Sequence, residues 1–346
     1  MGHRAMKLRR LAALLSGLAA AACGGGGSTP VGPSEPSVPT YSVTATVFYD
    51  QNGNGQLDGS EAVRVPGVEV VIGTGRGTSA SGTGQAVVTG IREGVQTVAL
   101  RTESLPAYFQ PSPPVAIQVP GPTEVRIPLT LQIGNNKPNL YLGLGDSITN
   151  GDGSSDRNGY VLKLQNLLGP HFGRAEVRAI GRQGDSSAET AEVTRKTLGW
   201  FDPAYTLILL GTNDWQDQTC QKQGPSACFT IAALRSIVED VKDWDSLPVL
   251  ATIIPGNPAK VPAGRNAWYD EMNVRIKALA QEQKVTLADL NADFKASGNL
   301  PALFADDVHP NDAGYQVMAQ GWFKAITRAR SAAAASSPRF GFSVQP

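Results

Sequence analysis

Residues 139–149 read Asn-Leu-Tyr-Leu-Gly-Leu-Gly-Asp-Ser-Ile-Thr, an apolar run that breaks at a glycine and sets a serine hydroxyl directly after it. The run is apolar on successive residues rather than alternate ones, so Asn139–Leu144 predicts a strand covered on both faces, as in a parallel sheet. Similar runs recur at Ala175–Ile180, Tyr205–Leu210, Val249–Ile254 and Val285–Leu290. Between them lie longer amphipathic stretches, Tyr160–Leu168, Ser187–Leu198, Ile231–Trp244, Ala267–Glu282 and Ala313–Arg328, which predict helices. That alternation implies an α/β domain over about 138–328 with a parallel sheet between helical layers. Ligands of such sheets bind beyond the carboxyl ends of the strands, so the residues just past each run carry the chemistry.

Upstream the pattern changes. From 41 to 133 apolar and polar residues alternate in short runs, Ser42–Tyr49, Val68–Ile72, Gln96–Leu100, Val115–Val119 and Val125–Leu131, divided by Gly and Pro turns. A period of two at that spacing predicts a small β-sandwich. Inside it, Asp50-Gln-Asn-Gly-Asn-Gly-Gln-Leu-Asp-Gly-Ser-Glu61 has the spacing of an EF-hand-type calcium loop. Oxygen-bearing Asp50, Asn52, Asn54, Gln56 and Asp58 precede Glu61 at the twelfth place, with Gly55 at the sixth. The same Asn-Gly-Asn-Gly also suits a plain hairpin turn. The segment Val43–Glu61, with Val65-Pro66-Gly67-Val68 after it, resembles the calcium-binding B-type repeat domains of bacterial surface proteins. That resemblance implies an immunoglobulin-like sandwich, stiffened by structural Ca2+, acting as a spacer or binding module.

At the amino terminus, Arg4, Lys7, Arg9 and Arg10 precede the apolar Leu11–Ala22 and then Cys23, the layout of an export signal over 1–23. Such a run is too short for a hydrocarbon core that needs about 20 helical residues. Leu18-Ala-Ala-Ala-Ala-Cys23 resembles a bacterial lipoprotein signal, which implies lipidation of Cys23 and a membrane-anchored protein facing the periplasm or cell surface. Ordinary cleavage after Ala22 is the other reading. Residues 24–40, rich in Gly, Ser, Thr and Pro, predict a flexible linker, and 329–346 a disordered tail. Thirty Lys and Arg balance thirty Asp and Glu, which leaves no basic field for nucleic acid. The two remaining cysteines, Cys220 and Cys228, are close enough in an exported chain to favour a disulfide over two unrelated thiols.

A serine hydroxyl is a poor nucleophile at neutral pH unless a base reaches it and a third group orients that base. Three histidines are available. His3 lies in the export segment, and His171 sits in a Gly-Pro-His-Phe-Gly stretch with no carboxylate nearby. His309 has Asp306 three residues before it, within one turn. Ser147, His309 and Asp306 are therefore the candidate nucleophile, base and orienting acid. Acyl transfer also needs donors to an oxyanion. Asn213 in Gly211-Thr-Asn-Asp214 presents an amide after the third run, and Gly181 a backbone N–H after the second.

Gly-Asp-Ser-Ile-Thr, the glycine after the second strand, Gly-Thr-Asn-Asp and Asp-x-x-His-Pro together, in this order, resemble the SGNH/GDSL-type hydrolases over about Pro138–Arg328. The resemblance implies a three-layer, flavodoxin-like fold and carboxylic ester hydrolysis that needs no cofactor. It further implies an oxyanion hole built from the Ser147 and Gly181 N–H groups and the Asn213 amide. Ala179 stands where the family often has asparagine, so Gly184 is a rival donor. No Gly-x-Ser-x-Gly elbow surrounds Ser147, which argues against an α/β-hydrolase lipase. The polar stretch Trp215–Thr230 predicts a wet cleft wall pinned by its cysteines, while Trp268 and Tyr269 either stack on a sugar or fill core. The expectation is a monomeric small-acyl esterase acting on acetylated carbohydrate. Lysophospholipid or other lipid esters, and an inactive carbohydrate-binding adhesin, are the alternatives.

Overall fold

In β1 (Thr40–Tyr49) the alternate residues Val43, Ala45 and Val47 turn inward and are almost fully buried. The period of two read from the sequence is the period of burial only as far as Ala45, because Thr46 and Phe48 on the other face are buried as well. This computed structural model describes residues 38–329; the export segment with Cys23, the linker up to residue 37 and the tail from 330 lie outside the described residues. After β1 come β2 (Glu69–Ile72), β3 (Gly75–Thr78), β4 (Gln85–Arg92), β5 (Gly94–Leu100), β6 (Gln110–Pro111), β7 (Val115–Val119) and β8 (Glu124–Thr130). They form two four-stranded sheets, ordered β4-β1-β8-β6 and β3-β2-β5-β7, that contribute to one hydrophobic cluster.

Strand β4 escaped the sequence reading for a local reason. Its inward residues are Ala86, Val88 and Ile91, so the alternation skips once. Gly90, at φ +73°, supplies the extra residue, and the register against β1 shifts between Tyr41 and Val43.

The second segment opens with β9 (Lys137–Asp146), α1 (Ser147–Asn150), α2 (Val161–Phe172), β10 (Glu176–Arg182), α3 (Ser187–Phe201) and β11 (Pro203–Leu209). It continues with α4 (Gln218–Gln223), α5 (Thr230–Asp243), β12 (Leu247–Ala251), α6 (Arg265–Glu282), β13 (Thr286–Ala288), α7 (Leu290–Ala296) and α8 (Asp312–Thr327). The sheet is parallel throughout, ordered β10-β9-β11-β12-β13. Successive strand residues serve opposite faces. Tyr141, Leu207 and Val249 pack with Leu164 and Trp322 from α2 and α8, whereas Leu142, Ile208 and Leu250 pack with Ile237 and Met272 from α5 and α6. Double coverage is why these strands read as unbroken apolar runs. No helix among the described residues is long and apolar enough to cross a membrane.

Packing is continuous from the first segment to the second. Phe109 lies 6.5 Å from Phe172 and Tyr108 lies 6.2 Å from Tyr205, ring centroid to centroid. The Tyr108 hydroxyl donates to the Pro248 carbonyl at 2.5 Å and accepts from the Thr286 N–H at 3.0 Å. Pro248 and Thr286 stand at the beginnings of β12 and β13, so this contact lies at the amino ends of the strands.

Candidate active site

The strand order places a switch point between β9, whose chain goes on to β10 at one edge, and β11, whose chain goes on toward β13 at the other. Gly145 of β9 stands opposite both Gly181 of β10 and Leu209 of β11, so three strands finish at one level. The loops beyond those ends carry Ser147, Gly184 and Asn213.

The chain turns sharply at the serine. Asp146 caps α1, its Oδ1 accepting the Ile148 N–H at 2.9 Å, and Gly151 at φ +94° closes the single turn. A side chain at Gly145 would meet the Thr149 hydroxyl at 2.2 Å and the Leu209 carbonyl at 2.5 Å, which is why that position is glycine. Ser147 itself is 8% exposed.

His309 arrives from the other end of the chain. Asp306 Oδ1 accepts the N–H groups of Val308 (3.0 Å) and His309 (2.7 Å), folding the loop so that Oδ2 lies 2.7 Å from His309 Nδ1. His309 Nε2 lies 2.9 Å from Ser147 Oγ. A carboxylate can only accept, so Nδ1 carries the ring proton and Nε2 is left to accept from the serine hydroxyl. Burial pushes the Asp306 carboxyl up, but hydrogen bonds from the His309 and Val308 N–H groups and from the His309 ring outweigh it and hold it below the ordinary aspartate value.

Asn257 braces that loop, its N–H donating to the Asp307 carbonyl at 2.7 Å and its Nδ2 to the Asp306 carbonyl at 3.2 Å. Tyr315 of α8 ties the serine turn down, its hydroxyl reaching the carbonyls of Asp152 (2.7 Å) and Ile148 (3.0 Å). The sequence reading missed both residues. Asn257 stands in an Asn-Pro turn and Tyr315 on a helix, and neither carries a local signal of what it touches.

Asn213 lies beside the serine turn, its Nδ2 donating to the Asp185 carbonyl at 3.0 Å and reaching Asp146 Oδ2 at 3.5 Å. Beneath it the buried Asp214 accepts from the Ser187 N–H (2.8 Å), the Ser187 hydroxyl (2.6 Å) and the Thr230 hydroxyl (2.6 Å), joining α3 and α5 to the loop. Burial pushes this carboxyl up, and those hydrogen bonds pull against the rise.

The two glycines differ in surroundings. A Cβ on Gly181 would fall 2.3 Å from the Asn150 nitrogen and the Asp146 carbonyl oxygen, so this residue is pressed against the serine turn. Gly184 sits at φ +78° in a turn with nothing within 4 Å of its Cβ position. Cys220 and Cys228 are bonded to each other. Trp268 is buried and donates to the Cys220 carbonyl at 2.9 Å; Tyr269 is buried and donates to the Thr212 carbonyl at 3.0 Å. Neither ring is available to stack on a sugar, so of the two readings these residues take the core one. Trp215, two residues past Asn213, is the half-buried aromatic of this wall.

In the first segment the loop Asp50–Glu61 is knitted by its own groups. Asp50 accepts from the Gly53, Asn54 and Gly55 N–H groups, Glu61 from those of Gln51 and Asp58, and the Asn52 and Asn54 amides donate to Asp58. No group of three or more His, Cys, Asp or Glu side chains able to hold a metal ion occurs among the described residues.

Comparison with known proteins bears on the second segment. The sequence profile of the GDSL-like Lipase/Acylhydrolase family matches residues 144–317, which is 174 of 346 residues. A GDSL-like lipase from Bacteroides thetaiotaomicron is 22% identical, with a TM-score of 0.44, over 56% of this chain and 89% of that one. A catalytic mutant of an acetylxylan esterase from Geobacillus stearothermophilus is 20% identical, with a TM-score of 0.46, over 55% and 95%. A member of the lipolytic protein G-D-S-L family from Veillonella parvula is 21% identical, with a TM-score of 0.46, over 55% and 98%. No curated protein matches. With half its length matched by the profile, the chain belongs to the GDSL-like lipase/acylhydrolase family, carboxylic ester hydrolases that need no cofactor for catalysis.

Proposed function

We propose that the protein is an exported, lipid-anchored serine esterase that works through a Ser147-His309-Asp306 triad and an acyl-enzyme, and that it removes small acyl groups from carbohydrate. The observation that carries the triad is the unbroken chain of contacts from Asp306 through His309 to Ser147 Oγ at 2.7 and 2.9 Å. As Ser147 Oγ bonds to the ester carbonyl carbon, its proton passes to His309 Nε2, and Asp306 stabilises the imidazolium that results. The same proton then goes to the departing alkoxide as the ester C–O bond breaks. Water, deprotonated by His309, repeats the attack on the acyl-enzyme and releases the acid and free Ser147. The Ser147 N–H and the Asn213 amide face the negative oxygen of both tetrahedral intermediates. Gly181 or Gly184 supplies the third donor. The turn at Gly184, past the last residue of β10, favours it over Gly181, which is paired with β9 inside that strand.

Ser147→Ala in the full-length protein, assayed in detergent with p-nitrophenyl acetate, should lower kcat by at least about 10³-fold. Equal rates would leave an inactive binding protein. The exposed run Gln216–Thr219 beside Asn213 supports a wet, carbohydrate-accepting rim over a lipid-binding one. Faster turnover of lysophospholipid than of acetylated oligosaccharide would reverse that choice. Lipidation at Cys23 rests on the signal alone, and intact mass is its test.

We read the first segment as an immunoglobulin-like spacer that binds Ca2+ through Asp50, Asn52, Asn54, Gln56, Asp58 and Glu61. This rests on the loop spacing in the sequence alone. Bound there, the ion would stiffen the fold and take no part in ester cleavage. A melting temperature unchanged by chelator would discard it.

A further inference from the structure

Arg265 is the first residue of α6, and its side chain is 6% exposed. Both features are unfavourable on local grounds. A cation opposes the positive end of the helix dipole, and a buried charge is costly unless its donors are met. The partners it finds belong to the active site. Its Nε donates to the Tyr269 hydroxyl at 2.6 Å, and that hydroxyl donates to the Thr212 carbonyl at 3.0 Å. One terminal nitrogen reaches the same Thr212 carbonyl and the other the Asp307 carboxylate, each at 3.4 Å. The guanidinium also lies over the rings of Trp215 (5.2 Å) and Tyr269 (5.6 Å). One side chain therefore grips the residue before Asn213 and the residue after Asp306, joining loops that are far apart along the chain. A residue that violates local preference to make such a link is expected at a functional site rather than in plain packing.

We infer that Arg265 is a positioning residue that holds the Asn213 amide in register with Ser147 and His309. This rests on the oxyanion role proposed above for Asn213. The contact acts through the Thr212 carbonyl, so its loss tilts the next side chain and weakens a hydrogen bond that matters most once the oxyanion has formed.

The test is a double-mutant cycle read in kcat and KM on p-nitrophenyl acetate with the full-length protein. Arg265→Met should lower kcat about 10–100-fold and leave KM within about threefold. In an Asn213→Ala background the same substitution should cost less than about twofold, because the group it positions is gone. Losses that multiply, with Asn213→Ala itself slow, overturn the inference alone, since a merely structural role is additive. An Asn213→Ala enzyme with wild-type kcat overturns the oxyanion reading and this inference with it. If Arg265→Met does not fold, Tyr269→Phe enters the same cycle, with an expected first loss of about 3–10-fold.

Discussion

Asp146 stands next to Ser147 with no access to water, and loss of solvation pushes its carboxyl up from 3.8 to about 7. The Ile148 N–H and the neighbouring His309 pull it down, while Asp214 adds to the rise. Because the folded value is raised, the native state holds its proton after the unfolded chain has lost it. Stability therefore falls as pH rises through the window from 3.8 to about 7 and levels off above it. Asp146→Asn keeps a capping oxygen and cannot ionise. Relative to wild type it should gain on the order of 4 kcal/mol in denaturant unfolding between about pH 4 and pH 8, at about 1.4 kcal/mol per pH unit. A gain independent of pH would contradict this. Gly181 carries a second residue-scale prediction. The atoms a Cβ would strike belong to the backbone of the serine turn, so Gly181→Ala should destabilise the fold and slow the reaction together, whereas Gly184→Ala meets only the strain of its left-handed φ, about 1 kcal/mol.

At the scale of elements, the stretch after Asn213 is held at both ends. Asp217 caps α4 by accepting from the Thr219 and Cys220 N–H groups, and the Cys220–Cys228 bond closes the loop into α5. Replacing both cysteines by serine should lower unfolding free energy by about 2–3 kcal/mol on loop-entropy grounds, read from denaturant unfolding as a lower midpoint. The helix that carries Arg265 shows how an element can be legible while its role is not. The apolar spacing of 267–282 announces α6, but nothing in that spacing says that its first side chain turns inward to the loops that carry Thr212 and Asp307.

Over the whole molecule, the first segment meets the sheet at the starts of β12 and β13, while Ser147, Asn213 and His309 gather beyond strand ends on the opposite side. The two sets of residues are separated by the length of the strands. Tyr108→Phe removes a hydroxyl shared by the Pro248 carbonyl and the Thr286 N–H. It should cost about 1–3 kcal/mol of stability, seen as a lower melting temperature, with kcat on p-nitrophenyl acetate unchanged. A fall in kcat at equal stability would show that the first segment acts on the site.

Periodicity alone determined the layers of this protein, because a strand covered on both faces must be apolar at successive residues and a helix on a sheet must be apolar on one stripe. It failed at β4, where Gly90 breaks the alternation, and at α1, whose four residues are too few to show a period. Residue type and order singled out Ser147, Asp306, His309 and Asn213, since few side chains can attack, accept a proton or donate to an oxyanion. Tertiary structure alone decided that Trp268 and Tyr269 face inward, that Gly181 is walled while Gly184 is open, and that Arg265, Asn257 and Tyr315 brace the site. Those facts depend on which distant backbone atoms come within hydrogen-bond reach, and a linear order of residues does not encode that distance until the sheet has brought its strand ends together.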